Sequence, residues 1–226
     1  MSFLFHQRPS DSPFVEAIWQ TRSQGGGSFI STAASNWEMV ITRQKGKTTL
    51  SIRGPETKAS PAPIPEDAEF LGIIFKHGTF MPHLPKTQLV NEAIHLPGSA
   101  ADTFWLHGAT WQLPDFENAD TFINQLMRAD LLAQDQVVTD VLRGETQYLS
   151  LRSIQRRFVH VTGLTYKGIQ QIERARQALA LLQSGVPIPD AAYQAGYFDQ
   201  PHLTKSLKFF VGQTPAEILK LKQDAS

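Results

Sequence analysis

Residues 190–215 read DAAYQAGYFDQPHLTKSLKFFVGQTP, and this stretch decides the fold of the C-terminal half. Leu203 and Leu207 are spaced to share one face of a helix, which predicts a helix that buries that face. Asp199 precedes them and is a residue type that caps the first turn of a helix. Gly196 is the small residue that a tight corner between two helices requires. The stretch therefore predicts a helix-turn-helix whose second helix begins after Asp199.

The end of this helix and the start of the next one follow from four residues. Gly212 is typical of a residue that ends a helix. Thr214 and Glu217 have the spacing of a capping box, and Pro215 suits the first position of a helix. We therefore expect one helix to end at Gly212 and another to begin after Thr214.

The same pattern occurs 49 residues earlier, in residues 141–166, which read VLRGETQYLSLRSIQRRFVHVTGLTY. Ser150 takes the capping position there. Two copies of one helical unit indicate a duplicated supersecondary motif. The equivalent residues are Tyr148 and Tyr197, Ile154 and Leu203, Arg156 and Lys205, Phe158 and Leu207, Gly163 and Gly212, Thr165 and Thr214, and Ile169 and Ile218.

The first copy carries a basic outer face. Arg152 and Arg156 lie four residues apart on it, with Gln155 beside them. Such a helix fits the major groove of duplex DNA, where Arg156 can donate to O6 and N7 of guanine and Gln155 can pair with N6 and N7 of adenine. Arg157 and Lys205 are better placed to meet phosphates. The alternative for each residue alone is a solvated helix surface, but a repeated basic face favours DNA binding.

Residues 165–183 are predicted to form one helix between the two motifs, about 28 Å long at ~1.5 Å per residue. That length approaches the ~34 Å repeat of duplex DNA. One chain can therefore place two recognition helices, near residues 150–162 and 199–211, in successive major grooves. Alternatively, the helix of residues 165–183 only braces the core, and a helix of that kind would still separate the two recognition helices.

The chain has 226 residues with 21 basic and 21 acidic side chains, and such neutrality argues against a nucleic-acid binder. The net charge of zero conceals an uneven distribution of charge along the chain. Residues 113–149 hold 2 basic and 7 acidic side chains, whereas residues 150–212 hold 8 basic and 3 acidic ones. The positive excess lies in the stretch with both recognition helices, although charge alone also fits a chance fluctuation of the surface.

Residues 1–112 contain short apolar runs with strand character. Candidate strands cover residues 14–19, 37–42, 48–52 and 70–75. Alternate prolines in residues 60–65 predict a polyproline-like loop without a regular element, and residues 111–115 read as a linker. We expect an α+β multidomain chain with domains at residues 1–115 and 116–226.

Taken together, residues 120–222 resemble the DNA-binding domain of the AraC/XylS family of bacterial transcription regulators. The specific part consists of Ala191 and Ala192 together with residues from Gly196 to Pro215, and the first motif matches from Leu151 to Gly163. The resemblance implies an all-α domain of seven helices, with two helix-turn-helix motifs joined by a long helix. One departure is the stretch 143–149, which is longer and more polar than a tight turn, so it leaves the leading helix of the first motif unplaced.

The resemblance also implies site residues and partners. Double-stranded DNA and RNA polymerase are the implied partners, and activators and repressors share this architecture. The residues implied to contact bases and phosphates are Arg152, Gln155, Arg156, Gln200, Pro201, His202, Thr204 and Lys205, to which the charge of Arg157 adds a phosphate contact.

The N-terminal half contains the stretch from Trp37 to Ile41, and then that from Gly72 to Phe75 followed by His77, Gly78 and Pro82. With this arrangement it resembles the cupin-like barrel or sandwich of some family members, which binds a small-molecule effector or forms a homodimer. Its aromatic residues can line an apolar pocket, with a packed core as the alternative. The effector-binding candidates are Trp19, Trp37, Phe75, Trp105 and His107.

A different class of function is a cupin-type metal-dependent enzyme with a regulatory DNA-binding tail. Four histidines suggest this possibility: His77, His83, His95 and His107. They lack the His-x-His spacing and the following carboxylate that such a metal site would use. The chain has no Cys, which excludes disulfides and the DNA-repair methyltransferases that carry this DNA-binding domain and accept alkyl groups on Cys. We expect no metal, no cofactor and no catalysis.

The N-terminus lacks the basic start of a signal peptide, and no apolar run is long enough to span a bilayer. We therefore expect a cytoplasmic transcription regulator that is not an enzyme.

Overall fold

The structure is a computed structural model that describes residues 4–84, 86–98, 102–145 and 148–224. The N-terminal half is mostly β, and the C-terminal half contains seven helices among the described residues, which confirms the predicted fold class. The strands are β1 (Leu4–Arg8), β2 (Val15–Arg22), β3 (Gly27–Ser31), β4 (Glu38–Gln44), β5 (Lys47–Arg53), β6 (Ser60–Ile64), β7 (Ala68–Phe75), β8 (Thr79–Phe80), β9 (Ala93–Leu96), β10 (Thr103–Leu106), β11 (Ala109–Gln112) and β12 (Ala133–Gln134).

The helices lie in the C-terminal half, where the sequence changes to helical periodicity. They are α1 (Ala119–Arg128), α2 (Gln136–Leu142), α3 (Leu151–Thr162), α4 (Tyr166–Ser184), α5 (Ile188–Gln194), α6 (Gln200–Phe210) and α7 (Pro215–Asp224). A short 3₁₀ helix covers Lys86–Gln88. Within the described ranges, no helix is both long and apolar enough to cross a membrane.

Six strands form one antiparallel sheet in the order β1-β2-β7-β4-β5-β9. The core residues of three strands stand at alternate positions, so they share one face of the sheet; they are Met39 and Ile41, Leu50 and Ile52, and Leu71, Ile73 and Phe75. Residues such as Met39, Ile41 and Ile73 are almost fully buried and form the core with Phe122 and Leu126 of α1. The sheet and α1 thus share one hydrophobic core.

Polar contacts join the first strand to the start of α1. Arg8 on β1 donates to Asp120 Oδ2 at 2.6 Å, and the Ser10 hydroxyl donates to the other carboxylate oxygen. Burial raises the pKa of Asp120, but the hydrogen bonds from Ser10 and Arg8 outweigh burial, so the pKa lies below its usual value. The carboxylate also suits the first turn of a helix.

The chain divides into two compact units. The sheet unit contains residues 1–27, 36–55 and 63–165, and the helical unit contains residues 28–35, 56–62 and 166–226. The core of the helical unit joins α4 to α7 through residues such as Ala175, Leu182, Leu203, Leu207 and Ile218. The predicted domains, residues 1–115 and 116–226, are continuous stretches of the sequence, unlike these two units. The boundary between residues 115 and 116 stays a prediction.

One sequence-based prediction is wrong. Residues 60–65 were expected to form a polyproline-like loop, but Ser60–Ile64 form strand β6, which pairs with β3. Pro61 and Pro63 alternate, so their missing N–H groups lie on the same side of the strand, a placement that an unpaired edge tolerates. Trp111 and Gln112, expected in a linker, end strand β11.

Candidate nucleic-acid interface

Helices α2 and α3 form the first helix-turn-helix. The Asp135 carboxylate accepts a hydrogen bond from the Val138 N–H at 3.3 Å and caps α2. The Ser150 hydroxyl accepts from the Ser153 N–H at 3.2 Å and caps α3. These caps confirm Ser150 as the start of the helix and place the leading helix that the sequence left open. Residues 146 and 147, between the two helices in the sequence, lie outside the described residues.

The two faces of α3 differ as its pattern predicts. Phe158 and Val161 are buried, whereas Arg152, Gln155 and Arg156 are exposed. The three polar residues therefore stand on the outer surface of the helix, where a duplex can reach them. Their contact with DNA stays a prediction.

Arg157 differs from its neighbours because it has a protein partner. Its guanidinium donates to Asp135 Oδ2 at 2.6 Å, and the arginine side chain is about half exposed. Asp135 thus caps α2 with one oxygen and holds α3 with the other. A phosphate near Arg157 would have to share this guanidinium with Asp135.

Helices α5 and α6 form the second helix-turn-helix, with Gly196 at φ 72° in the turn. Asp199 Oδ1 accepts from the His202 N–H at 2.7 Å, which confirms the predicted cap of α6. The Thr204 hydroxyl donates to the Gln200 carbonyl at 2.9 Å. The predicted DNA-contacting residues are exposed except Thr204, which is half-buried; they are Gln200, Pro201, His202, Thr204 and Lys205.

Tyr197 supports the first turn of α6 from inside. Its hydroxyl lies 2.8 Å from the Ser206 hydroxyl, and its ring meets the His202 ring edge-on at 5.1 Å between centroids. The Arg174 guanidinium lies 5.7 Å from the centre of the same ring. Burial raises the pKa of Tyr197 above its ordinary value, so the phenol stays neutral. The edge-on contact between the two rings restricts the orientation of the His202 side chain.

A groove of about 1280 Å³ runs along α6. Lys205 and Lys208 line it from α6, and Gln171 and Arg174 line it from α4. Three cations thus share one groove, which suits a polyanion. Sequence reasoning missed Gln171 and Arg174, although their three-residue spacing already places them on one face of α4.

The effector-binding candidates fall in separate places of the sheet unit. Trp37 stacks on Phe75 at 3.8 Å between ring centroids, and both are buried in the core. Trp19 is half-buried and donates to Glu38 Oε2 at 3.2 Å. Trp105 is 46% exposed on β10. The structure therefore joins only Trp37 and Phe75, and the effector-binding role of all the candidates stays a prediction.

His107 lies in the two-residue turn between β10 and β11, which explains its positive φ of 50°. Its ring stacks on His83 at 3.9 Å between centroids. In the described ranges of the chain, no group of three His, Asp or Glu residues is arranged to hold a metal ion.

Lys86 joins the aromatic pair and was missed by the sequence analysis. Its Nζ lies 3.8 Å from the centre of the Trp37 ring, and the side chain is buried. Burial lowers the pKa of Lys86 to about 7. No local pattern marks this lysine, because its burial depends on contacts with distant strands.

Comparisons with known proteins agree with the helical motifs. Residues 147–221 match a family model described as a helix-turn-helix domain. This match confirms the helix-turn-helix prediction for that region. A comparison with curated protein sequences gave no match.

Solved structures with a similar course of the chain are those of ToxT from Vibrio cholerae. One covers 98% of this chain and 99% of its own, with 9% identity and a TM-score of 0.43. Another, of ToxT from strain O395 bound to (E)-4-(8-methylnaphthalen-1-yl)but-3-enoic acid, covers 98% and 100%, with 10% identity and a TM-score of 0.41. At these scores the likeness carries no further conclusion about this chain.

Proposed function

From the AraC-type helix-turn-helix domain at residues 147–221, we propose that this chain is a sequence-specific DNA-binding transcription regulator. The observation that carries the proposal is the pair of capped helices α3 and α6, equivalent in the repeat, each with a buried apolar face and an exposed polar face. A helix with this division packs into its own unit and offers the other face to a major groove.

The outer face of α3 supplies base-reading chemistry. Arg156 donates two parallel hydrogen bonds to guanine, and Gln155 both donates to and accepts from adenine. Arg152 stands one turn earlier, at the N-terminal end that enters the groove first. Arg157 is held by Asp135, so it contributes charge near the phosphates and no base contact.

The outer face of α6 supplies a second set of DNA-contacting residues. Gln200, His202 and Thr204 present amide, imidazole and hydroxyl groups to base edges, with Pro201 in van der Waals contact. Lys205, Lys208 and Arg174 surround the same groove and neutralise phosphates.

The two helices read successive major grooves in this proposal. Helix α4 has 19 residues, which at ~1.5 Å per residue spans about 28 Å, near the ~34 Å repeat of duplex DNA. Two half-sites about one helical turn apart are the corresponding operator.

Regulation is assigned to the N-terminal domain. A domain of residues 1–115 binds a small-molecule effector or a second copy of the chain, and RNA polymerase is the partner of the bound regulator. Residues 116–226 form the DNA-binding domain, and the chain has no catalytic activity of its own.

Selection of bound sites from random duplex DNA tests the proposal with the full chain. We expect enrichment of a motif with two half-sites whose centres are ~10 base pairs apart. The absence of any enriched motif would contradict sequence-specific binding, and a single half-site would contradict the use of both helices.

A further inference from the structure

Two glycines occupy equivalent positions in the repeat, at the C-terminal ends of α3 and α6. Gly163 has φ 77° and Gly212 has φ 81°, the left-handed conformation that ends many helices. Each glycine is also packed against a segment that comes from residues 1–112 of the sequence. The two segments are different, but they meet the two helices at the same place.

The segment at α6 is the two-stranded arm, formed by residues 28–35 and 56–62 within the helical unit. A Cβ at Gly212 would lie 2.7 Å from Ile30 Cγ2 and 3.3 Å from Ala59 Cβ. Both separations are shorter than ordinary van der Waals contact. Only glycine therefore lets the arm approach α6 this closely.

The arm also completes the hydrogen bonding of α6. The Ala33 N–H donates to the Phe210 carbonyl at 2.7 Å, and the Ala59 N–H donates to the Phe209 carbonyl at 2.9 Å. The last carbonyls of a helix have no partner within the helix. Two of them are satisfied here by amides that lie more than a hundred residues earlier in the sequence.

The segment at α3 is the support segment, residues 86–90, within the sheet unit. A Cβ at Gly163 would lie 2.8 Å from Val90 Cγ2 and 2.9 Å from the Lys86 carbonyl oxygen. The backbone of the support segment thus lies directly against the end of α3. Gly163 is required here for space as well as for its positive φ.

Other glycines in the two motifs show that this packing is specific. Gly144 follows α2 with φ 80°, and Gly196 follows α5 with φ 72°. A Cβ at either position meets nothing within 4 Å. These two glycines serve the turn alone, whereas Gly163 and Gly212 serve the turn and a contact.

We propose that the N-terminal half of the sequence positions both recognition helices, the support segment acting on α3 at Gly163 and the arm acting on α6 at Gly212. The inference rests on the proposed function, because it assigns regulation to the same DNA-reading helices. Each contact is at the C-terminal end of its helix, and the N-terminal half of a recognition helix reads the bases. A shift of the support therefore changes the angle at which the helix enters the groove without touching a reading residue.

The first test needs no DNA. Hydrogen exchange of the full chain is compared among Gly163→Ala, Gly212→Ala and the controls Gly144→Ala and Gly196→Ala, which carry the same positive-φ strain without the contact. We expect Gly212→Ala to speed exchange in α6 by about tenfold, or ~1.4 kcal/mol, and to leave α3 unchanged, with the reverse for Gly163→Ala. Equal exchange in the variants and their controls would overturn the proposal.

A second substitution separates the contact from backbone strain. Ile30 supplies the atom nearest to a Cβ at Gly212, so Ile30→Ala makes room for it. We expect Ile30→Ala to restore part of the protection of α6 in the Gly212→Ala background. A strictly additive effect would show that the arm does not act through this contact.

The third measurement is binding of the selected duplex and of duplexes with one half-site scrambled. We expect Gly212→Ala to lose discrimination at the half-site read by α6 only, and Gly163→Ala at the other only. Equal losses at both half-sites would indicate general destabilisation and overturn the proposal. Failure of the unsubstituted chain to bind any duplex would contradict the proposed function, while the exchange experiment would still decide the positioning role.

Discussion

The Lys86 ammonium lies 3.8 Å from the centre of the Trp37 ring, and within the part of the chain that the structure describes it has no hydrogen-bond partner. A charged amine in such a place is stabilised by the ring but loses its hydration. Burial accordingly lowers the pKa of Lys86 to about 7, against 10.5 for an ordinary lysine.

We expect Lys86→Met to stabilise the protein by about 3 kcal/mol at acidic pH, because an apolar side chain fills the site without the cost of burying a charge. The folded chain has the lower pKa, so the unfolded chain binds more protons between about pH 7 and 10.5. The stability of the unsubstituted protein therefore rises with pH across this window, and the variant loses that rise.

Urea unfolding at several pH values measures both effects. The exposed Lys47→Met is the control, and equal pH profiles for all three proteins would contradict the prediction.

Arg156 has an exposed side chain on the outer face of α3. We expect Arg156→Ala to weaken binding of the selected duplex by about 1–3 kcal/mol and to relax specificity at one base pair, since a bidentate contact to guanine is lost. Titration against duplexes substituted at each position measures this. Arg128→Ala removes the same charge from the exposed end of α1 and should leave specificity intact. Unchanged affinity and specificity in Arg156→Ala would remove this residue from the reading face.

Arg174 lines the groove beside α6, whereas Arg176 on the same helix is exposed and lies 3.9 Å from Glu173. We expect Arg174→Ala to weaken binding to all duplexes alike and to reduce the slope of log affinity against log salt by about 1, because one phosphate contact is lost. Arg176→Ala should leave the slope unchanged. Identical slopes for the two variants would argue against a phosphate at Arg174.

Asp135 carries two interactions that substitution can separate. Asn keeps an oxygen for the Val138 N–H and loses the charge that holds Arg157, and Ala loses both. We expect Asp135→Asn to lower the free energy of unfolding by less than about 1 kcal/mol, since the Arg157 side of the ion pair is half exposed, and Asp135→Ala by about 1 kcal/mol more. Denaturant unfolding measures the two steps. A larger loss in the Asn variant than in the further step to Ala would assign the main role to the ion pair.

Features with a local cause were predictable from the sequence. Ser150 and Asp199 cap their helices as predicted. The Thr214 and Glu217 pair also forms the predicted capping box: the Thr214 N–H donates to Glu217 Oε2 at 2.6 Å, and this bond leads the causes that lower the pKa of Glu217. Caps depend on residues three positions apart, so a sequence contains all the information that they need.

Features that depend on distant contacts were not predictable. The prolines of residues 60–65 indicate an extended chain, but the pairing of β6 with β3 depends on where another strand lies. Arg174 looks like any solvated basic residue until α6 is placed beside it. In the same way, the sequence shows Gly163 and Gly212 as helix ends, and only the fold shows what presses against them.

The two-stranded arm also determines how this chain can be divided. A fragment that starts at residue 116 keeps α6 but lacks residues 28–35 and 56–62, so water would have to replace the amides that bind the Phe209 and Phe210 carbonyls. The helical unit that contains α6 is therefore discontinuous, with two short inserts from the first third of the sequence. Shortened versions made for binding studies should retain these inserts, either in one chain or by complementation with a separate N-terminal piece.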